Sequence, residues 1–451
     1  FIFTPYILIL ILPSVIKRRN PVKELYNLSF SAGLIVKSLN LLTESKSTDR
    51  HMVVYVFNNV FPDNAGFGKR CRKEIKILSE KGEVVVVCKQ DNRQKKSEVF
   101  AIGNTHISIF RFSTGHNTQH IENYEEKKGW YEIYRNLQLI MSLVGTLGKV
   151  FMKYGNKNKK LYVVVSPLTV PFIAYLLGLL FGVKRQVVEF HDLEPELAKD
   201  TKGLPDTSFI MKIEYFLEKF VCRRFEHIVV TTQAQAARIV ARTGVSKDKV
   251  VVIPNSIQVE TINSSVKPST TNKLQVGYVS SFTFEYSTKC FKDLLQIVAK
   301  RSECKDMHFT VVGDGPILSD VKNLSEKLGI SHQITYTGNR PHVHDLVASF
   351  DVALVPWPRT DMTVTMAPTK LFEYMNMGKI IVAPNFGEFK TILTHNHNAL
   401  LYSSVEQLFE QLCDVQKNDK LKKVLSERAR NLFEKKYRPE LYEKQLQDLI
   451  L

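Results

Sequence analysis

The stretch of this sequence richest in chemistry is Ala367-Pro368-Thr369-Lys370-Leu371-Phe372-Glu373-Tyr374-Met375, followed by Gly378-Lys379 and Val382-Ala383. Proline is favoured where helices start, so Pro368 reads as opening a helix at the end of a loop. The free amides of that first turn can hold a diphosphate. Glu373 lies one turn further in, where a carboxylate can accept hydrogen bonds from two adjacent ribose hydroxyls. An acid near a helix start also has a plainer use, which is to stabilise its own helix. Other groups that bear chemistry are Gly66 and Gly68, His191-Asp192, Lys289-Cys290-Phe291, and Gly313-Asp314-Gly315-Pro316. No Asp-x-Asp pair sits in a loop suited to a metal, and helix amides with a lysine suffice for a diphosphate. Neither a metal nor another cofactor is expected.

Positioning these residues takes a framework of parallel strands and helices. Residues 52–60 read as a buried strand, followed by a loop with Gly66 and Gly68, a helix at 70–80 and a strand at 84–88. This is a parallel α/β opening. Strands follow at 161–165, 186–190, 227–231 and 250–253, with an apolar helix at 171–182; His191-Asp192 ends the second of these strands and Pro254-Asn255 the last. A polar stretch rich in Ser, Thr and Asn, residues 258–272, reads as a linker. A second α/β series then runs from 274, with strands at 275–279, 309–312, 334–337, 352–356 and 380–383 and helices between them. The expected organisation is a first domain over 50–257, the linker, a second domain over 273–438, and a helix at 439–451 crossing back to the first domain.

The chain has 451 residues, 44% hydrophobic and 24% charged, which fits two globular domains. Its six cysteines, Cys71, Cys88, Cys222, Cys290, Cys304 and Cys413, form no Cys-x-x-Cys pair and point to a reducing compartment. The net charge of +17 is uneven: residues 1–250 carry 38 Lys and Arg against 23 Asp and Glu. A basic first half suits phosphate-rich partners such as anionic lipid or phosphorylated substrates. With no zinc finger, RNP signature or basic heptad, nucleic acid is not an expected partner. Residues 1–16 are uncharged and mostly apolar, with Lys17, Arg18 and Arg19 after them, so 1–20 reads as a possible membrane anchor with the domains in the cytoplasm. Residues 171–183 (PFIAYLLGLLFGV) are apolar on nearly every helical face, which fits either a fully buried helix or a membrane-surface contact. For the second, Lys153, Lys157, Lys159, Lys160, Lys184 and Arg185 would reach lipid phosphates.

In order and spacing these motifs resemble retaining glycosyltransferases of the GT-B fold, specifically glycosyltransferase family 4. The resemblance runs from about 53 to 449 and includes Val252-Ile253-Pro254-Asn255, Val312-Gly313-Asp314-Gly315-Pro316, Tyr336-Thr337-Gly338 and Asp351-Val352-Ala353-Leu354-Val355-Pro356. It implies two Rossmann-like domains whose parallel sheets face a central cleft. It also implies roles. Glu373 would bind the nucleotide ribose. The amides of Ala367, Pro368 and Thr369 would meet the diphosphate and sugar. His191 would contact the donor sugar; no protein general base is expected, and Asp192 beside it reads as orienting His191 rather than as that base. Gly66 and Gly68 would let the backbone approach the donor. Gly313 and the backbone of Arg340 would lie near the nucleotide, and Lys289 would neutralise the leaving diphosphate.

Three positions depart from the family pattern. Thr365 stands where a first acid is frequent, Ser281 where an arginine usually pairs with the lysine, and Cys290 where glycine is usual. Lys370 is then the candidate to compensate for the missing arginine. The resemblance implies transfer of a sugar from a nucleotide sugar, with retention, to a saccharide or lipid-linked saccharide acceptor held by the first domain, in cell-surface glycan synthesis. The expected setting is the cytoplasmic face of a membrane. The alternative is a non-catalytic relative that binds nucleotide or membrane without turnover.

Overall fold

The computed structural model of the protein describes residues 51–62, 66–91, 94–102, 105–113, 124–155, 157–183, 185–259, 273–301, 306–340 and 343–450. The apolar segment at 1–20 and residues 260–272 of the polar stretch lie outside the described residues.

Strands β1 (Met52–Val60), β2 (Glu83–Lys89), β3 (Ser97–Ile102), β4 (Thr105–Phe112), β5 (Lys159–Val164), β6 (Arg185–Phe190), β7 (His227–Val230) and β8 (Val250–Val252) form one sheet, ordered β3-β4-β2-β1-β5-β6-β7-β8. The β3–β4 hairpin is antiparallel and the remaining pairs are parallel. The near-continuous apolar runs of β1 and β2 belong to strands covered on both faces, and their middles are buried. Strands β9 (Leu274–Val279), β10 (Met307–Val312), β11 (Ile334–Gly338), β12 (Val352–Leu354), β13 (Ile380–Pro384) and β14 (Leu400–Tyr402) form the second sheet, ordered β11-β10-β9-β12-β13-β14 and parallel throughout.

In both sheets the strand order reverses beside the first parallel strand, between β1 and β5 and between β9 and β12. Ligands of such sheets bind in the crevice outside the carboxyl ends at that reversal. This puts the loops after β1 and β5 and those after β9 and β12 where chemistry is expected, flanked by the loops after β6 and β10.

Two differences from the sequence reading bear on the site. The loop expected to hold Gly66 and Gly68 is shorter, because the helix begins at Gly66 and runs to Ser79. Both glycines fall in its first turn, whose amides have no intrahelical acceptor, so the backbone there remains open to a ligand. The polar stretch at 258–272 does not begin as free linker: Asn255–Gln258 is a 3₁₀ turn. Ile253 and Ile257 pack in the first domain's core, whereas Val259 packs in the second's. The chain therefore changes domain within two residues.

The last helix, Glu440–Ile450, returns to the first domain. Leu446, Leu449 and Ile450 join the core that contains Tyr55 and Val229. Gln447 donates to the Ile77 carbonyl at 3.0 Å, and Lys73 pairs with Glu443 at 2.6 Å.

Candidate active site

In the first domain β6 delivers His191 to the carboxyl end of the sheet. Its ring packs on Phe67, in the first turn of the Gly66–Ser79 helix, with centroids 4.6 Å apart. The carboxylate beside the ring is Glu189: its Oε1 lies 3.3 Å from His191 Nε2. This corrects the orienting role expected of Asp192. Along a strand, residues two apart share a face, so Glu189 and His191 lie on one side and Asp192 on the other.

Glu189 is fully buried within an ionic cluster. Arg70, 1% exposed, places Nε 2.8 Å and Nη2 2.6 Å from Glu189 Oε1, and Nε 2.9 Å from Glu74 Oε1. Tyr162 donates its hydroxyl to Glu189 at 2.9 Å, and Tyr55 donates to Glu74. Burial opposes ionisation of Glu189, but Arg70 and then His191 hold its carboxyl well below the usual range. Burial and then the Glu189 charge push the Glu74 carboxyl well above it. The guanidinium thus favours the charged form of Glu189, while burial disfavours that of Glu74. Oxygen and nitrogen atoms of Glu74, Glu189 and His191 lie within 4.8 Å of one another, a spacing a metal ion can use. The guanidinium already contacts both carboxyl groups, so these residues do not fit a divalent cation.

In the second domain the loops after β9 and β10 lie against each other. A Cβ on Gly313, whose φ is +122°, would sit 1.8 Å from the Ser280 carbonyl oxygen, so only glycine fits. Phe282 is fully buried at φ +46°, a conformation that side-chain-bearing residues rarely adopt, and it anchors this loop. Ser281 next to it is exposed, as is Arg340 just after β11.

The motif of residues 367–375 forms the helix Thr369–Asn376, with extended Pro368 at its start and no side chain capping its amides. Glu373 is 5% exposed, and Lys370 Nζ lies 3.0 Å from its Oε2. The ammonium expected to replace the missing arginine is thus engaged with the ribose-binding candidate. Thr365 uses its carbonyl to accept the Thr232 hydroxyl across the cleft, at 2.6 Å.

Lys289 starts the helix Lys289–Lys300 and is exposed, with Cys290 turned into the core. It opens on a cavity of about 980 Å³ that is also lined by Phe284, Tyr286, Lys292 and, from the first domain, Asp200. Ala367, Thr369, Glu373 and His191 do not line that cavity. The structure therefore brings Ala367, Pro368, Thr369, Lys370 and Glu373 together on one helix start, and Gly66, Gly68 and His191 on the opposite domain. Lys289 lies to the side.

Further contacts cross between the domains. Asn255 Nδ2 donates to the Ala367 carbonyl at 2.9 Å, and Gln258 Nε2 to Thr369 Oγ1 at 2.6 Å. The Met362 N–H donates to Asp200 Oδ2 at 2.9 Å. Glu388 accepts from the backbone of Gln233 and Ala234. Sequence reasoning missed Arg70, Glu74, Glu189, Gln258 and Glu388, and quoted Asn255 without a role. One signal was present: Glu189 interrupts the apolar run of β6, and a charge inside a buried strand requires a partner.

Two facing parallel sheets with reversed strand order, joined by one crossover and a returning helix, are the architecture of the GT-B class. A family model described as Glycosyltransferase Family 4 matches residues 75–261, and one described as Glycosyl transferases group 1 matches 273–418. The chain belongs to this family. The sucrose-phosphate synthase of Thermosynechococcus elongatus superposes with a TM-score of 0.67 at 15% identity, covering 89% of this chain and 98% of that one. HepE of Anabaena, in complex with UDP and glucose, gives 0.62 at 13% identity, covering 88% and 98%. These likenesses are of fold. The 2-deoxystreptamine glucosyltransferase of Streptomyces kanamyceticus is 23% identical over 155 residues, 31% of this chain. The chain spans 39% of the length of that curated relative.

Proposed function

We propose that this protein is a retaining glycosyltransferase that moves a sugar from a nucleoside diphosphate donor to a saccharide or lipid-linked saccharide acceptor, in cell-surface glycan synthesis. The observation that carries this reading is the buried Glu373 carboxylate behind the uncapped start of the Thr369–Asn376 helix. Glu373 accepts from the ribose hydroxyls while the first-turn amides hold the diphosphate. His191 meets the sugar from the opposite domain. The bond from the anomeric carbon to the phosphate oxygen breaks. The acceptor hydroxyl attacks from the same face, and the departing phosphate takes its proton. Lys289, which opens on the neighbouring cavity, must swing toward the diphosphate to supply positive charge to the leaving group. The reaction needs no metal in this reading, because amides and lysine carry the diphosphate charge. UDP is the first nucleotide to test, since HepE was crystallised with it.

The membrane part of the reading is supported by the outer surface of the first domain. Helices Tyr124–Lys153, Thr169–Leu180 and Phe209–Arg224 pack side by side there. Thr169–Leu180 is not fully buried: Ala174, Tyr175 and Gly178 face the core, while Leu176, Leu179 and Leu180 are exposed. On the third helix Phe209, Lys212, Phe216, Lys219 and Arg223 recur at helical spacing on one exposed stripe, with Phe216 61% exposed. Alternating aromatic and basic residues suit the headgroup layer of an anionic bilayer. The lysines expected to reach lipid have other partners: Lys159 Nζ donates to the carbonyls of Tyr154, Gly155 and Lys157, Lys157 pairs with Glu83, and Arg185 contacts Glu226. Lys160 is buried, and Lys184 lies outside the described residues. Among the described residues no helix is long and apolar enough to cross a membrane.

The test is nucleoside diphosphate release from a panel of nucleotide sugars, with and without membrane lipid extract, beside Glu373→Ala. Release that requires one donor and the extract, and that falls in the variant, supports the reading. Nucleotide binding with no release from any donor replaces it with a non-catalytic binder, for which the loss of a cation at Ser281 is the evident reason.

A further inference from the structure

The two halves of the site meet at one short turn. Asn255–Gln258 lies between the Gly66–Ser79 helix, which carries Phe67 against His191, and the Thr369–Asn376 helix, which carries Glu373. On the first-domain side Arg70 donates Nη1 to the Pro254 carbonyl at 3.0 Å and to Asn255 Oδ1 at 3.4 Å, and Nη2 to the Ile253 carbonyl at 3.0 Å. On the second-domain side Asn255 Nδ2 and Gln258 Nε2 hold Ala367 and Thr369, the residues at the start of the donor helix.

We propose that Asn255 and Gln258 are positioning residues that set the register of the donor loop against His191, through the partly buried chain His191, Glu189, Arg70, Asn255 and Ala367. The chemistry of each link dictates the residue. A guanidinium only donates and a carbonyl only accepts. The group between them must accept on one side and donate on the other, and a short amide does both. This also settles the orientation of the Asn255 amide, with Oδ1 toward Arg70 and Nδ2 toward Ala367. Arg70 cannot turn aside, because Glu189 holds it from below and three acceptors on 253–255 hold its far end. Glu189 therefore faces two ways, lying 3.3 Å from the His191 ring nitrogen and, through Arg70, holding the turn that carries the donor loop. The crossover lies at the hinge between the domains, where a small error is amplified at the reacting atoms. Misplacement by about 1 Å costs on the order of a hundredfold in rate.

The kinetic arm of the test rests on the transferase reading; the exchange arm does not. Asn255→Asp is the informative variant. It keeps, and strengthens, the contact with Arg70, but turns an oxygen toward the Ala367 carbonyl. Gln258→Met is a second variant that removes only the Thr369 contact. In the full-length protein, amide hydrogen exchange over 366–370 should rise about tenfold in either variant, with the exchange of β1 and β6 unchanged. UDP affinity measured by calorimetry should fall by less than in Glu373→Gln, because the ribose contact of Glu373 is untouched and only the diphosphate turn is loosened. With a donor that the wild type turns over, kcat should fall at least about tenfold, and by a larger factor than donor KM rises. Exchange over 366–370 equal to wild type in both variants overturns the proposal, whatever the kinetics. If the wild type turns over no donor, the transferase reading fails, and the exchange result alone decides the relay.

Discussion

Glu388 of the second domain caps a helix of the first: its carboxylate accepts from the backbone N–H of Ala234 at 2.9 Å and of Gln233 at 3.2 Å. The helix Gln233–Thr243 also has its own cap in Thr232, whose hydroxyl accepts from the Gln235 N–H at 3.1 Å. The two caps satisfy different amides of one first turn, and the one from Glu388 ties the domains together. A carboxylate at a helix start is favoured by the free amides and the helix dipole. Glu388→Ala should lower stability by about 1–2 kcal/mol in urea unfolding. A change below about 0.3 kcal/mol would mean that the cap does not hold the domains.

Glu373→Gln tests the nucleotide site directly. The loss of charge-assisted hydrogen bonds to ribose costs about 1.5–3 kcal/mol, or roughly ten- to a hundredfold in UDP affinity by calorimetry. Lys370→Ala should have a smaller effect on turnover than Lys289→Ala, because the Lys370 ammonium is held at Glu373. The reverse order would assign the compensating charge to Lys370.

Gly313→Ala should be strongly destabilising or should displace the β10 loop. The added carbon meets the Ser280 carbonyl at 1.8 Å, and the backbone is left-handed at φ +122°. A loss of about 1–3 kcal/mol in chemical unfolding, with weakened UDP binding, is expected.

Burial pushes the Glu214 carboxyl up to about 7; Lys202 opposes the rise and Glu218 adds to it. Between the ordinary value of 4.5 and about 7 the folded protein keeps a proton that the unfolded chain has lost. This contribution to stability is therefore lost as pH rises through that window. Glu214→Gln should flatten the slope and raise stability at pH 8 by on the order of 2–3 kcal/mol. Unfolding curves at pH 5 and pH 8 measure both effects.

The apolar outer face of the first domain predicts binding to vesicles with anionic lipid. Burying a Leu or Phe side chain is worth about 1.5–3 kcal/mol. Leu179→Glu combined with Phe216→Glu should reduce cosedimentation at least about tenfold and leave the melting temperature unchanged. Equal binding by the double variant would move the membrane contact elsewhere.

The framework was legible because its strands are apolar runs of a kind that only a covered parallel sheet accommodates, as in residues 52–60 and 84–88. The donor motif was legible because Pro368 and Glu373 are local to one helix. The ionic cluster was not, because its members come from distant parts of the chain. Arg70 and Glu74 look like a solvated helical pair, and only the pairing of β1, β5 and β6 brings Glu189 to them. The β3–β4 hairpin and the helix Tyr124–Lys153 also escaped notice, for lack of a clean period. The patch around Phe216 was hidden for a related reason: a Phe at helical spacing reads as core, and which face meets the core depends on the neighbouring helices.

The returning helix has a consequence for biosynthesis. Leu446, Leu449 and Ile450 complete a core built around Tyr55, Ile77 and Val229. Domains usually fold as units while the ribosome is still translating. Here the first half leaves the ribosome with part of its apolar core uncovered, and it stays so until the second half has been made. The newborn chain must be kept from aggregating throughout that interval. A frameshift or stop codon just before Glu440 would damage the domain synthesised first, although every one of that domain's own codons had been read correctly.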